Sequence, residues 1–498
     1  MGKETIQNSR KSIKIELDKV NIETIFKLIL SYFSSYQIPF VEILISPSLK
    51  QKIKEIRDSI ENIDKPIYGI NTGFGKLFDK IISTEDLEKL QSNLIYSHSA
   101  GYGKPVSKFI VFLTILIRLK QLSIGYSGVS LELLEHLCDL LKEKNLPDIP
   151  YWTSVGASGD LIPLSHIFLR VLERYNPKIK ESIAFINGTS YSLSNFIIGL
   201  FLVDQLIKFS NFTLVVSSIA NNVNFSHFSS KLKRAKNSKY FSKIIDDLNE
   251  LIEKLISKGE TKSVLQASYS YRCYPQILES FYGIYELCVN FADSEIKSNT
   301  DNPLLIDGDF ISAGNFHGNT ISVLCDHLKV HIFQLSNLSF QRMNYLLSPN
   351  FLILDEGLNS GFMISQYLAS HVLVELKNIC YPISIENFPV SLHQEDLVSY
   401  SENNSRNLMK SVYFSFIILS IELLLSIQKI KLNHKMMNFE NLESYLLNFF
   451  NTGIKELITD LPILNDENFK KYGSLSGLQK IFISNNKVVS FLEKELNL

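Results

Sequence analysis

Ser154-Val155-Gly156-Ala157-Ser158-Gly159-Asp160-Leu161 is the stretch on which the reading of this chain turns. Its central tripeptide, Ala157-Ser158-Gly159, can condense on itself. The Gly159 amide nitrogen attacks the Ala157 carbonyl carbon and two waters leave, one of them carrying the Ser158 hydroxyl. The product is a five-membered ring with an exocyclic methylidene, an electrophile that no ordinary side chain supplies. Each residue type serves that outcome: Gly159 has no Cβ to block the approach of its nitrogen, Ser158 carries the hydroxyl to be eliminated, and Ala157 is too small to obstruct the turn. Taken alone, Ala-Ser-Gly also reads as a plain Gly/Ser turn, so the surroundings decide.

Outward from this string, helical periodicity dominates. Residues 109–122, 131–144, 195–209, 240–258, 275–291, 321–338, 362–379 and 409–430 each carry apolar side chains at three- and four-residue spacing, which predicts a mainly α protein. Pro66, Pro105, Pro150, Pro163, Pro303, Pro382 and Pro389 fall between these stretches or near their starts, where a residue without an amide N–H is tolerated. No repeat, Pro/Ser linker or long charge block marks a boundary. A division near residue 220 is expected, with residues 1–220 carrying the Ala-Ser-Gly loop and residues 221–498 forming a helical bundle. The chemistry-bearing strings fall almost entirely in loops, so any active site is composite.

With 498 residues, 45% hydrophobic and 20% charged, the chain can bury a large core. Its 50 basic and 51 acidic residues give neither a basic field nor an acidic tail, so a small-molecule partner is expected and nucleic acid is not. Cys138, Cys273, Cys288, Cys325 and Cys380 are scattered, lack the paired spacing of zinc sites, and suit reduced thiols in a cytoplasmic protein. No cluster at metal-ligand spacing is visible. Residues 1–20 lack a signal-peptide core, and after Met1-Gly2 a myristoylation signal needs Ser or Thr where Ile6 stands. The most apolar stretches, 195–203 and 412–425, are interrupted by Asp204 and Glu422 and read as core helices too short to span a membrane.

Seven further strings stand out. Tyr68-Gly69-Ile70-Asn71-Thr72-Gly73-Phe74-Gly75 looks like a phosphate-cradling loop but lacks the Lys-Ser/Thr of a P-loop; a turn with a packed tyrosine is the plain alternative. Ser97-His98 precedes Ser99-Ala100-Gly101, and His98 can hydrogen-bond an imidazole or a phenol, although a lone histidine is more often structural. Asn187-Gly188-Thr189 has the dipeptide of an ordinary turn. Gln266-Ala267-Ser268-Tyr269-Ser270-Tyr271-Arg272 offers, in Arg272, two parallel donors for a carboxylate, or a surface ion pair. In Ser298-Asn299-Thr300-Asp301-Asn302-Pro303 and Gly314-Asn315-Phe316-His317-Gly318, the residues Asp301, Asn302 and His317 suit turn-organising bonds. His393-Gln394-Glu395-Asp396 brings a carboxylate, Glu395, that burial near other charges would make a candidate base.

These blocks run in order from Tyr68 to about Ser399, with Pro163-Leu164 and His166 behind the tripeptide. Together they resemble the histidine and aromatic amino acid ammonia-lyase family over most of the chain. The resemblance implies a mainly α, fumarase/histidase-like long helical bundle. It also implies that the ring from Ala157-Ser158-Gly159 is 4-methylidene-imidazol-5-one (MIO), a prosthetic group made from the chain itself. Tyr68 matches a mobile-loop tyrosine that removes the substrate β-proton, a job for which an ordinary phenol is a poor base unless cations or donors stabilise the phenolate. Asn187 matches the asparagine that bonds the ring or the substrate amine. Gln266, Tyr269 and Arg272 match a block in which the tyrosine assists elimination and the arginine binds substrate carboxylate, although Ala267-Ser268 replaces the usual Asp-Pro or Asp-Ala. Phe316 matches an aromatic beside the ring.

Ser97-His98 and Glu395 match members that handle histidine, whereas tyrosine lyases tend to have His-Leu and phenylalanine lyases Phe-Leu at the first position. Some tyrosine 2,3-aminomutases also carry a Ser-His-like pair, and His393, Leu397 and Tyr400 depart from the Asn, His and Met usual in histidine lyases. The expected activity is elimination of ammonia from L-histidine to give urocanate. A tyrosine or phenylalanine ammonia-lyase or a 2,3-aminomutase on the same scaffold is the alternative, and a non-catalytic helical assembly protein is the alternative of another class. A Gly-Ser-Ser-x-Met-Pro signature of fumarase-like lyases is absent. The family fold implies helix N-termini aimed at the ring, and the family habit of building each site from several subunits implies a homotetramer.

Overall fold

In the computed structural model, residues 12–58, 60, 66–73, 75–256, 264–353, 357–433, 437, 439–451 and 469–496 are described. Met1, Gly2 and Ile6, weighed above for targeting, lie outside them, as do Phe74 and residues 257–258 of an expected helix.

The helices begin where short polar side chains can satisfy the first free N–H groups. Asn21 accepts from Thr24 N ahead of α1 (Ile22–Ser35), and Pro47 opens α2 (Pro47–Asp58). After α3 (Leu87–His98), Ser107 caps α4 (Lys108–Leu122) and Ser130 caps α5 (Leu131–Leu140). Then come α6 (Leu161–Leu172), α7 (Glu181–Ile186) and α8 (Ser190–Ala220), followed by α9 (Lys239–Leu255) behind Ser238, α10 (Tyr269–Arg272) and α11 (Tyr274–Ile296). The series closes with α12 (Asn319–Leu347), α13 (Ser365–Ile379), α14 (Ser401–Leu432), α15 (Phe439–Phe449), α16 (Leu475–Ser484) and α17 (Lys487–Leu496).

Over the described residues, each of the eight periodic stretches falls mainly on a helix. α8, α12 and α14 run well past the expected ends, and α5 stops short of Lys144. Among the described residues the strands form three short pairs. β1 (Ile13–Glu16) lies parallel to β2 (Val41–Leu44); β3 (Tyr102–Pro105) is antiparallel to β4 (Pro150–Trp152), and β5 (Leu304–Ile306) to β6 (Asp309–Ile311). Two segments, Glu181–Ala220 and Ser401–Leu432, are long and apolar enough to cross a membrane, contrary to the expectation from Asp204 and Glu422. Yet 83% and 78% of their most apolar windows are buried inside the protein, as core helices are.

Where the sequence suggested one cut near residue 220, contacts group the chain into two units of interleaved segments. The first comprises Met1–Ile198, Val289–Val323 and Pro382–Arg406, and the second Gly199–Cys288, Leu324–Tyr381 and Asn407–Leu498. In the first, α4 is buried on every side from Phe109 to Leu122, with Tyr32 stacked on Phe109 at 3.9 Å. Its one guanidinium, Arg118, donates to Phe185 O at 2.8 Å, Thr300 Oγ1 at 2.9 Å, Gln121 Oε1 and Asn187 O at 3.1 Å, and to Ala184 O. It thereby collects the free carbonyls at the end of α7. Burial lowers the Arg118 pKa to about 10, opposed by Asp301 and Asp160. In the second unit, Arg342 forks onto Glu422 at 2.5 and 2.8 Å with both side chains fully buried, and Phe209 stacks on Phe416 at 5.1 Å.

Candidate active site

The loop between β4 and α6 is folded back on itself by its own hydroxyl. Ser154 Oγ accepts from Gly156 N at 2.9 Å and donates to Gly159 O at 3.2 Å, and a backbone bridge joins Ala157 to Gly159. Gly159 has φ +76, and a Cβ there would stand 2.7 Å from both the nitrogen and the oxygen of Gly188. Only glycine fits, because both the left-handed backbone and the contact exclude a side chain. Around this turn, Asn187 Nδ2 donates to Ser158 O at 2.6 Å and Asp160 N to Gly188 O at 2.7 Å. Ser399 Oγ donates to Gly156 O at 2.9 Å and Tyr400 N to Val155 O at 2.9 Å.

Three helices, α6, α8 and α14, start beside these contacts, at Leu161, Ser190 and Ser401, so the loop lies among positive helix ends. Asp160 sits there fully buried and accepts from Ser192 N at 2.7 Å and Ser192 Oγ at 2.5 Å. Burial raises its carboxyl to about 6 against the pull of those bonds and of Arg118.

Ser158 faces a cavity of about 480 Å³, a size suited to a small-molecule substrate. Tyr68, His98, Asn187, Phe316 and Glu395 line it with Ser158, and Leu90, Leu94, Leu161 and Ile183 supply apolar wall. Six residues picked from six separate strings therefore meet around one space. Ser158 Oγ donates to Glu395 Oε1 at 3.2 Å. Asn187 is buried, and its Oδ1 has no hydrogen-bond partner among the described residues, an acceptor held ready at the edge of the loop. His98 ends α3, so it is helical where a loop was expected. Its Nδ1 lies 2.8 Å from Leu94 O; a ring nitrogen facing a carbonyl carries the proton, which leaves Nε2 as acceptor. Burial lowers the His98 pKa, partly offset by the Leu94 carbonyl and Glu395, and favours the neutral ring.

Tyr68 Oη accepts from Gly75 N at 3.2 Å. Burial nonetheless raises the phenol above its ordinary value, with the Gly75 N–H opposing and the Glu395 charge adding to the rise. With these neighbours alone Tyr68 stays a phenol, and a base role requires a further cation or hydrogen-bond donor beside it.

Gln266, Tyr269 and Arg272 belong to the second unit and are not among the residues lining the cavity. Tyr269 is 69% exposed; the Arg272 guanidinium lies 4.5 Å from its ring centroid, and Arg272 Nε is buried without a hydrogen-bond partner among the described residues. Asn302 Oδ1 accepts from Ala313 N at 2.7 Å, in line with its turn-organising reading, while Asp301 pairs with fully buried Lys180 at 2.9 Å. Sequence reasoning passed over Arg118, Lys180 and Glu402. The available signal for Arg118 was a single guanidinium inside an otherwise apolar periodic stretch. Among the described residues no group of His, Cys, Asp and Glu could hold a metal ion.

The sequence profile described as aromatic amino acid lyase matches residues 36–174 and 170–449. The chain belongs to the aromatic amino acid lyase family. It is a carbon–nitrogen lyase, and in this family the substrate is an amino acid. The histidine ammonia-lyase of Natranaerobius thermophilus is 33% identical over 424 residues, covering 78% of this chain and 83% of that protein. That of Vibrio cholerae is 32% identical over 425 residues, with coverage of 78% and 83%. The solved histidine ammonia-lyase from Trypanosoma cruzi is similar with a TM-score of 0.78 at 26% identity, covering 97% of this chain and 95% of that one. A tyrosine aminomutase from Streptomyces globisporus, at 22% identity and a TM-score of 0.81 over 97% and 99% of the two chains, shares the fold. The mainly α bundle expected from the sequence is thus the fold of these lyases.

Proposed function

We propose that the protein is a histidine ammonia-lyase, eliminating ammonia non-oxidatively from L-histidine to give urocanate, with a MIO group formed from Ala157, Ser158 and Gly159. The observation that carries this reading is the convergence of Ser158, His98, Asn187 and Glu395 on one cavity, with Ser158 Oγ 3.2 Å from Glu395 Oε1. The residues present fit the group. Gly159 stands where any Cβ would collide with Gly188, Asn187 Nδ2 already holds Ser158 O, and Asn187 Oδ1 beside it is an acceptor without a partner among the described residues. When formed, the group supplies an electrophilic carbon at the Ser158 position, which makes an otherwise poor nitrogen leaving group expendable.

The remaining work falls to the chain's own side chains. His98 Nε2 accepts from the imidazole N–H of histidine, and Glu395 pairs with the imidazolium form or takes a proton. Tyr68 removes the β-proton, its phenolate favoured by the ammonium of the bound amino acid. Asn187 orients the amine, and Phe316 packs on the apolar side of the site. Arg272 is assigned to the substrate carboxylate through two parallel donors, with Gln266 as a further substrate-binding residue and Tyr269 assisting elimination. We read the protein as a cytoplasmic homotetramer with shared sites; its free cysteines suit a reducing compartment, and gel filtration checks the assembly. Incubating the protein with L-histidine, L-tyrosine and L-phenylalanine side by side tests the activity. Ammonia and urocanate from histidine support it, whereas a coumarate, a cinnamate or a β-amino acid in their place overturns the substrate assignment.

A further inference from the structure

Beside the loop, the first turn of α14 carries a second carboxyl that the elimination does not use. Glu402 is fully buried. Its Oε1 lies 3.0 Å from Arg406 Nη2 on the next turn, and beyond that ion pair neither oxygen has a hydrogen-bond partner among the described residues. Tyr191 of α8 and Asp160 at the start of α6 are its other ionisable neighbours. A file of buried hydroxyls runs alongside. Ser192 Oγ, bonded to Asp160, lies 3.0 Å from Ser401 Oγ; Ser401 Oγ lies 3.2 Å from Ser399 Oγ, which holds Gly156 O. The residue preceding Glu402 therefore belongs to the network that ties Asp160 to the loop.

Two carboxyls buried together cannot both ionise cheaply, so one keeps its proton. Asp160 has the partners an anion needs, namely the N–H and hydroxyl of Ser192, the N-terminal end of α8 and the charge of Arg118 from α4. Glu402 shares the positive end of α14 but, among the described residues, has only the Arg406 ion pair and no hydrogen-bond donor beyond it. Burial raises Glu402 to about 8, opposed by Arg406 and reinforced by Asp160, and Asp160 only to about 6, an order that agrees with the partners.

We propose that Glu402 is a positioning residue for electrophile formation: by keeping its proton it leaves Asp160 as the ionised member of the pair, clamped to the start of α8, and so holds Gly159 in place for closure onto Ala157. This rests on the reading that residues 157–159 condense. In that closure a bond forms between Gly159 N and Ala157 C, and the Ala157 carbonyl oxygen leaves as water with the amide protons of Gly159 and Ser158. The Ser158 hydroxyl leaves as a second water with the Ser158 Cα proton, and no oxidant is needed. Once Glu402 ionises, the two anions repel, Asp160 loosens, and closure slows.

The test uses the full chain recovered unfolded and shown by mass to be uncyclised, then refolded by dilution at several values between pH 6.5 and 9. Intact mass is followed for loss of two waters, and circular dichroism confirms folding. Closure of the wild-type chain is expected to be about tenfold slower at pH 9 than at pH 7, the ratio of protonated fractions for a group titrating at about 8. Glu402→Gln, permanently neutral, should close at a rate that does not fall over that range, and Glu402→Asp should restore a pH-dependent rate. A flat wild-type profile, or a Glu402→Gln profile that falls like the wild type, overturns the proposal; should Glu402→Gln not refold, the wild-type profile decides alone. A wild-type chain that never loses two waters at any pH is a separate result, one that removes the functional reading and this inference together.

Discussion

Ser158 and Glu395 are 237 positions apart in the chain, yet their side chains share a hydrogen bond, and the chemistry assigned here depends on that meeting. Replacing Glu395 by Gln keeps the shape and removes the charge. In chains whose mass confirms ring closure, kcat for L-histidine is expected to fall about 10²- to 10⁴-fold, the usual worth of a positioned acid or base; an unchanged kcat would assign Glu395 to packing. His98→Ala removes one acceptor from the cavity wall. It should lower kcat/KM for L-histidine by about tenfold, the worth of one hydrogen bond to a buried polar group, while leaving closure intact by mass. Most of these side chains were legible from the strings that carry them. The state of Tyr68 was not, because the burial that raises its phenol and the Glu395 charge near it come from segments far apart in sequence.

At the level of elements, α4 shows how far periodicity reaches. Its apolar residues placed the helix within one residue of Lys108–Leu122, but periodicity says nothing about what a lone guanidinium does inside it. Arg118 satisfies the carbonyls of Ala184, Phe185 and Asn187 and so fixes the end of α7, where Asn187 presents its amide to the loop. Arg118→Leu leaves those acceptors without a donor, removes a positive charge from beside Asp160 and Asp301, and is expected to destabilise the fold by about 3–5 kcal/mol, read as a lowered midpoint in urea. A midpoint within error of wild type would mean that water satisfies the carbonyls equally well. The strand pairs escaped the sequence reading for a plain reason: three- and four-residue strands are too short for an alternating pattern to register. The caps at Asn21, Ser107, Ser130 and Ser238 were legible in principle, as short polar residues directly ahead of apolar periodicity.

For the whole molecule, the interleaving of segments into two units was invisible in a linear sequence, because it arises from returns of chain such as residues 289–323 and 382–406 to the first unit. The return of residues 382–406 also creates the carboxyl pair whose titration the intact protein should report. A carboxyl whose folded pKa is raised binds its proton in the native state over the interval between its two values, so its stabilisation is present below the ordinary value and lost as pH rises through the folded one. For Glu402 that interval runs from 4.5 to about 8, and for Asp160 from 3.8 to about 6. The thermal midpoint of the wild-type protein should therefore decline from pH 5 to pH 8 through these two groups, and Glu402→Gln should flatten the upper part of the decline. A Glu402→Gln slope equal to the wild-type slope between pH 6 and 8 would contradict the assignment.

The central claim is that residues 157–159 become an electrophile on which deamination depends, and intact mass paired with an ammonia assay of wild type and Ser158→Ala tests it most directly. The wild-type chain should be lighter than its sequence by two waters and release ammonia, while Ser158→Ala should keep its Ser158 Cβ position inert and lose activity by about 10³-fold or more. A wild-type chain of full sequence mass that deaminates its substrate, or a Ser158→Ala chain that does so at the wild-type rate, would contradict it.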